Sequence, residues 1–240
     1  MKFYACSQRG IGKFESEDRI TIGRSVIAEG SFISEIDNGI VAIADGVGGN
    51  NAGAVASHFV SFRLSAENDI TKELLKNIND ELLAKSKASP QLYNMATTFS
   101  GIKLCDDNNV VFHVGNTRIY ILQGGKYLKQ LTEDDTTLNY LIASGQLSPE
   151  EAVTFDRKNE IIACFGGGTP NLFKIKVSKM EFISSILLTS DGVHDFVNID
   201  EMESIIEEKG ITLNACEEMI ITARKNGSKD DASVIIGGVR

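Results

Sequence analysis

Acidic residues recur at four separated places in the chain: Glu17-Asp18, Asp45-Gly46, Ser190-Asp191-Gly192 and Asp230-Asp231. Two of these follow apolar, β-like runs. Ile40-Val41-Ala42-Ile43-Ala44 leads into Asp45, and Ile186-Leu187-Leu188-Thr189 leads into Ser190 and Asp191. A carboxylate that ends a strand and is followed by glycine leaves the sheet and points into open space. Several such groups converging would form an oxygen-rich cage for hard divalent cations. That donor set suits a metal-dependent hydrolase.

The elements that must carry these groups can be read from pattern. The stretch up to Ala44 reads as strands broken by polar turns. Val55, Phe59 and Phe62 then share one helical face, and Leu74, Leu75, Ile78, Leu82 and Leu83 form a second apolar stripe; both stripes are expected to face the core. From Ala96 to Leu131 the pattern returns to β, with turns at Gly115-Asn116-Thr117 and Gln123-Gly124-Gly125-Lys126. Residues 137–144 read as helix. Ser148-Pro149-Glu150-Glu151 and Asn198-Ile199-Asp200-Glu201 are helix starts of the capping-box type. Gly210 and Gly227 mark two helix ends, the second closing a helix from Leu213 to Lys225. The chain finishes in a strand, Ala232 to Ile236. This order is not a regular βαβ alternation; it predicts an α+β architecture of antiparallel sheets covered by helices.

Composition narrows the function class. The 240 residues carry 24 basic and 33 acidic side chains, a net charge of −9. Such a balance argues against a general nucleic-acid binder or a ligand of anionic membranes. Metal ions would invert the local field and still admit an anionic substrate. The four cysteines, Cys6, Cys105, Cys164 and Cys216, show neither zinc-ligand spacing nor a disulfide framework. No apolar run reaches the length of a membrane span, and the first residues do not read as a signal peptide. A cytoplasmic location is the expectation.

Taken in order, the acidic patches and the turns between them resemble the metal-dependent protein phosphatases, the type 2C Ser/Thr family. The matching pieces are Glu17-Asp18, Ala44-Asp45-Gly46-Val47-Gly48-Gly49, Thr97-Thr98-Phe99, Gly115-Asn116-Thr117-Arg118, Leu131-Thr132-Glu133-Asp134, Thr189-Ser190-Asp191-Gly192 and Lys229-Asp230-Asp231-Ala232-Ser233. Each piece alone is a weak signal. Their joint order over nearly the whole chain is a specific one.

The resemblance implies a four-layer αββα sandwich: two central antiparallel sheets packed face to face, with helices outside each. It implies one catalytic domain over residues 1–240, with a flap over residues 136–168 bordering the cleft. The implied activity is hydrolysis of phosphoserine and phosphothreonine in proteins, with two Mg²⁺ or Mn²⁺ ions as cofactors. Two such ions, about 3.5–4 Å apart, neutralise a phosphate and lower the pKa of a water bridging them. Phosphorylated proteins are the implied partners, and a Ser/Thr kinase the implied signalling counterpart. The two rival readings are a catalytically silent phosphoprotein-binding module on the same fold and a di-metal hydrolase of small phosphate esters.

Carried over by motif, Asp45, Asp191 and Asp230 are the catalytic candidates. Asp45 would bridge both ions and the Gly46 carbonyl would bind one of them. Asp191 and Asp230 would hold the other, and Glu17 and Asp18 would act mainly through bound waters. Asp231 stands where the family often has asparagine and reads as a neighbour of the site. Lys13 stands where the family often has a phosphate-binding arginine. It can supply charge but not a bidentate fork, so it is a candidate phosphate contact, with a solvated surface cation as the alternative.

Two further departures matter. Asn116 stands where the family usually has an aspartate that helps bind a third ion, so a weak or absent third site is expected. Val47 stands where some members carry a histidine, so another proton donor is needed. A metal-bound water is the first candidate and His194 the second. His58 and His113 are expected to be structural, and Arg118 is expected to form a structural ion pair.

Overall fold

The computed structural model describes residues 1–47, 52–106, 108–168, 173–180 and 184–239. Gly48 and Gly49 of the Asp45 motif lie outside the described residues. The chain opens with strands β1 (Lys2–Gln8), β2 (Asp18–Ile22), β3 (Ser25–Ile27), β4 (Gly30–Glu35) and β5 (Gly39–Val47). Helices α1 (Ala52–Ser65) and α2 (Lys72–Ala88) follow. A meander comes next: β6 (Ala96–Thr97), β7 (Phe99–Leu104), β8 (Asn109–Val114), β9 (Arg118–Gln123) and β10 (Tyr127–Gln130). Then come α3 (Thr137–Ala143), α4 (Pro149–Ala152), β11 (Phe165–Gly166), β12 (Lys176–Met180), β13 (Ser185–Thr189), α5 (Asp191–His194), α6 (Ile199–Lys209), α7 (Leu213–Lys225) and β14 (Ala232–Gly238).

Among the described residues the strands form two antiparallel sheets. One runs β10-β9-β13-β14-β1-β4. The other runs β11-β6-β5-β7-β8-β12, with β2 also paired to β5 and β3 to β2. Alternation along the strands builds three apolar layers. Phe3, Ile20, Val41, Ile43, Ile102, Ile186, Leu188 and Ile235 interdigitate between the sheets. Ile40, Ala42 and Ala44, on the opposite face of β5, pack under α1 and α2 with Val60, Leu64, Leu75, Ile78 and Leu82. Leu187, Val234 and Ile236 pack under α6 and α7 with Met202, Ile206, Met219 and Ile220. The result is the expected four-layer αββα sandwich. Strands such as β5 and β14 are covered on both faces, and for that reason they read as continuous apolar runs.

Local signals held where they rest on local chemistry. Ser148 and Asn198 both close reciprocal capping boxes, with Glu151 and Glu201. Gly210 adopts φ 70° at the end of α6.

The face of α1 is a correction. Phe62 is 60% exposed and Val55 40% exposed, while Ala52, Ala56, Val60 and Leu64 form the buried stripe. Small residues win this face because α1 comes very close to the sheet. A Cβ on Gly53 would sit 2.7 Å from the Gly46 backbone carbon. The other stripe holds, with Leu75, Ile78 and Leu82 fully buried in α2.

Strand β12 pairs along β8 although Lys176-Val177-Ser178-Lys179-Met180 carries little apolar signal. The Gly166-Gly167 segment is tied down. Gly166 pairs with Ala96 and accepts no freedom from its neighbours, since Gly167 N–H donates to the Met95 carbonyl at 2.9 Å. No disulfide joins the four cysteines. Among the described residues, no helix is long and apolar enough to cross a membrane.

Candidate metal centre

The four acidic patches meet at one end of the sandwich. β2 begins with Asp18, directly opposite Asp45 on β5. β13 ends just before Ser190 and Asp191, and Asp230 and Asp231 lead into β14 beside it. The sequence reading put Asp45 at a strand end, but β5 runs on through Gly46 to Val47. Gly46 pairs there with Thr97. Glycine is required at this point because a Cβ on Gly46 would lie 2.3 Å from the Gly53 carbonyl oxygen and 2.8 Å from that of Glu17. The same holds at Gly192, where a Cβ would lie 1.9 Å from the Asp231 carbonyl oxygen. These contacts let backbone from different elements close around the carboxylates.

Asp45 is fixed through its backbone. Its N–H donates to Thr98 Oγ1 at 2.9 Å, and its carbonyl accepts from Thr98 N–H at 2.8 Å and Thr97 Oγ1 at 2.9 Å. Thr98 and Thr117 hydroxyls are 2.7 Å apart, which links this strand to the turn that carries Asn116. Asn116 Nδ2 donates to Asp191 Oδ2 at 3.0 Å. Ser190 Oγ donates to Asp18 Oδ2 at 2.8 Å.

The electrostatics of this inner group are those of crowded carboxylates, Asp18 buried and Asp45 and Asp191 half-buried. Asp18 is fully buried, and burial first, then the charge of Asp231, pushes its pKa up to about 8. Asp45 is raised well above the usual carboxylate range by burial and then by the charge of Asp191. Asp191 is raised by burial and then by Asp230. Like charges directly opposite on paired strands are destabilising, so these groups need a shared proton or a cation. Asp18 Oδ1 and Asn116 Oδ1 are buried without a hydrogen-bond partner. Acidic oxygens held together under repulsion, one of them orphaned, fit a hard divalent cation.

Among the described residues, no three or more Asp, Glu, His or Cys side chains surround one point closely enough to hold an ion by themselves. Mg²⁺-like ions keep several waters and accept backbone carbonyls, so the two observations agree for an open site of that type.

The outer group differs. Lys13 Nζ donates to Asp230 Oδ1 at 2.6 Å, Asp231 Oδ2 at 2.8 Å and Glu17 Oε2 at 3.2 Å. Asp231 also accepts from Gly10 N–H at 2.7 Å and Glu17 N–H at 2.8 Å. It thus organises the 10–17 turn, a role its sequence position did not reveal. Burial opposes the Lys13 charge, but Asp230 and Asp231 outweigh it and hold the ammonium above its ordinary pKa. Glu17 is raised by burial, with Lys13 opposing.

His194 is buried, with Nδ1 2.9 Å from Thr189 Oγ1, and burial holds it neutral, far below its ordinary pKa. That removes it as a ready proton donor. Asp195 lines the same groove as Asp191, Asp230 and Asn159. Its pKa is pushed up to about 6, by burial and then by Asp191, and it accepts a short hydrogen bond from the Asn159 side chain. Sequence reasoning missed Asp195 because a lone aspartate after a histidine has no pattern of its own.

Arg118 makes the structural ion pair expected of it: Nη2 and Nε reach Asp134 Oδ2 at 2.7 and 3.0 Å. His113 is buried against Ser100 and the Glu133 carbonyl, and His58 lies in α1.

A double sheet enclosed by helices, with a carboxylate cleft at one end, defines a class of phosphate-ester hydrolases. Residues 31–223 match the Protein phosphatase 2C family, and the chain belongs to that family. It is 29% identical over 220 residues to the serine/threonine phosphatase stp of Listeria monocytogenes, covering 86% of this chain and 87% of that protein. The crystal structure of the serine/threonine phosphatase PstP/Ppp of Mycobacterium tuberculosis superposes with a TM-score of 0.82 at 25% identity, covering all of both chains. Stp1 of Staphylococcus aureus superposes with a TM-score of 0.78 at 25% identity, covering 99% of this chain and 94% of that one. The fold also matches the PstP catalytic domain in complex with two manganese ions, at a TM-score of 0.75 and 24% identity, covering 98% of both chains. The chain is a protein phosphatase.

Proposed function

We propose that this phosphatase hydrolyses phosphoserine and phosphothreonine in proteins at a centre built for two Mg²⁺ or Mn²⁺ ions. The observation that carries this reading is the inner group itself. Asp18 lies opposite Asp45 on paired strands with its Oδ1 buried and unpartnered, and burial and mutual repulsion raise Asp18, Asp45 and Asp191 alike. When bound, the ions supply positive charge against the phosphate and lower the pKa of a water between them.

The chain's own residues have separate tasks in this reading. Asp45 would serve both ions, and the Gly46 carbonyl one of them. Asp191 and Asp230 would serve the other, and Glu17 and Asp18 would act through water. Asn116 holds Asp191 Oδ2 through its amide. A neutral amide is a poor ligand for a hard cation, so the third site is weak or absent. Lys13 is the cation at the mouth from which a phosphate contact would come. The flap, residues 136–168, is rooted by Arg118–Asp134 and by the Thr137 N–H to Glu160 carbonyl bond, and its Asn159 reaches Asp195 across the groove. One catalytic unit over residues 1–240, cytoplasmic, and working against a Ser/Thr kinase that phosphorylates the same proteins, completes the reading.

Phosphate release from phosphothreonine peptides tests it. Turnover is expected with Mn²⁺ and lost in EDTA. Absence of metal-dependent turnover would overturn the reading.

A further inference from the structure

Lys13 is engaged to capacity. An ammonium has three N–H donors, and the three go to Glu17, Asp230 and Asp231. The partners are not equivalent. Asp230 is exposed, with 54% of its side chain accessible, whereas Asp231 is 3% exposed. Asp231 is further fixed by the N–H groups of Gly10 and Glu17. Lys13 therefore has a permanent anchor in Asp231 and an exchangeable contact in Asp230. The turn that carries it is closed at both ends by that same buried carboxylate.

Lys13 sits on Asp230 Oδ1, which also accepts from the Asp231 N–H at 2.8 Å, and a divalent ion held by the same carboxylate would be repelled by the ammonium. At a few ångströms and an intermediate effective dielectric, repulsion between a divalent ion and a unit charge is worth a large factor in affinity. We infer that Lys13 is a tethered cation that stands in on Asp230 for the ion that Asp191 and Asp230 would serve, so that ion uptake and release of the Lys13 ammonium are one exchange. Lys13 holds Glu17, Asp230 and Asp231 together until the ion arrives. On ion uptake Lys13 would leave Asp230, and its freed N–H would turn to the incoming phosphate while Asp231 keeps the side chain at the site. This inference rests on the reading that Asp230 serves an ion.

The test compares the full chain with Lys13→Met, Lys13→Gln and Lys13→Arg. Gln keeps hydrogen-bond donors without charge and guards against a Met variant that fails to fold. Mn²⁺ is titrated by calorimetry, and melting is followed separately in EDTA. Removing the tethered cation is expected to tighten Mn²⁺ roughly tenfold and to lower melting in EDTA, where carboxylates are left without their counter-charge. Lys13→Arg is expected to stay near the parent in both. Equal or weaker Mn²⁺ binding by the Met and Gln variants overturns the exchange while leaving the metal centre standing. Unchanged melting in EDTA overturns the tether. No Mn²⁺ uptake by any of the proteins, the parent included, overturns the metal reading and the exchange with it.

Discussion

The two halves of the carboxylate cluster solve the same electrostatic problem differently. In the inner half, Asp18 is buried and Asp45 and Asp191 half-buried, with no basic side chain hydrogen-bonded to them among the described residues. Burial and mutual repulsion raise their pKa values. In the outer half, Glu17, Asp230 and Asp231 gather around Lys13. A nearby cation favours the charged form of a carboxylate, although burial still leaves Glu17 raised beside Lys13. The inner half therefore depends on an ion to become fully charged, whereas the outer half has a substitute built into the chain.

The sharpest way to break this comparison is to remove the inner half's central member. Asp45→Asn is expected to lower Mn²⁺-dependent phosphate release by roughly a thousandfold, the scale seen when one essential electrostatic partner of a transition state is lost. Survival of turnover would move the chemistry elsewhere.

The next largest effect concerns pH. Asp18 rises from its ordinary value of 3.8 to about 8 on folding, and Asp45 and Asp191 shift the same way. Folded protein then binds more protons than unfolded protein between these limits, so stability in EDTA falls as pH rises through that window. Melting temperature in EDTA should drop from pH 5 to pH 8, and the stabilisation by Mn²⁺ should be greatest at the alkaline end. Melting in EDTA that climbs over this range would contradict the inner-half account.

A smaller effect is expected at the rim. Asn116→Asp replaces a donor to Asp191 with an acid, and should add a weak additional Mn²⁺ site in calorimetry. An unchanged number of sites would mean that Asn116 does not limit the third ion.

The smallest contrast lies outside the site, on the two faces of α1. Leu64→Ala should cost about 2–5 kcal/mol in urea unfolding. Phe62→Ser should change stability by no more than ~0.5 kcal/mol.

The α1 contrast shows what the sequence could and could not disclose. Capping boxes at Ser148 and Asn198 are local and were legible, because all their partners lie within one turn. The strands under Asp45 and Asp191 were legible because burial on both faces writes an unbroken apolar run. The buried face of α1 was not, because the larger Val55-Phe59-Phe62 stripe outweighs an alanine-rich one in any apolar count. Only the close approach of Gly53 to Gly46 makes small residues the better fit. Strand β12 was invisible because its burial is slight and its place is set by pairing with β8. In the site, the identities of Asp45, Asp191 and Asp230 came from ordered motifs. The bond from Asn116 to Asp191, the anchoring role of Asp231 and the triple engagement of Lys13 join residues 75, 214 and 217 positions apart. Contacts at such separations leave no local pattern.

The central claim is that the inner carboxylates are held together to receive metal. Calorimetric titration of Mn²⁺ into the metal-free parent and into Asp45→Asn at pH 8 tests it most directly. The account predicts two ions bound per parent chain, with binding weakened at both in the variant because Asp45 serves each. Equal stoichiometry and affinity in the two proteins would contradict it.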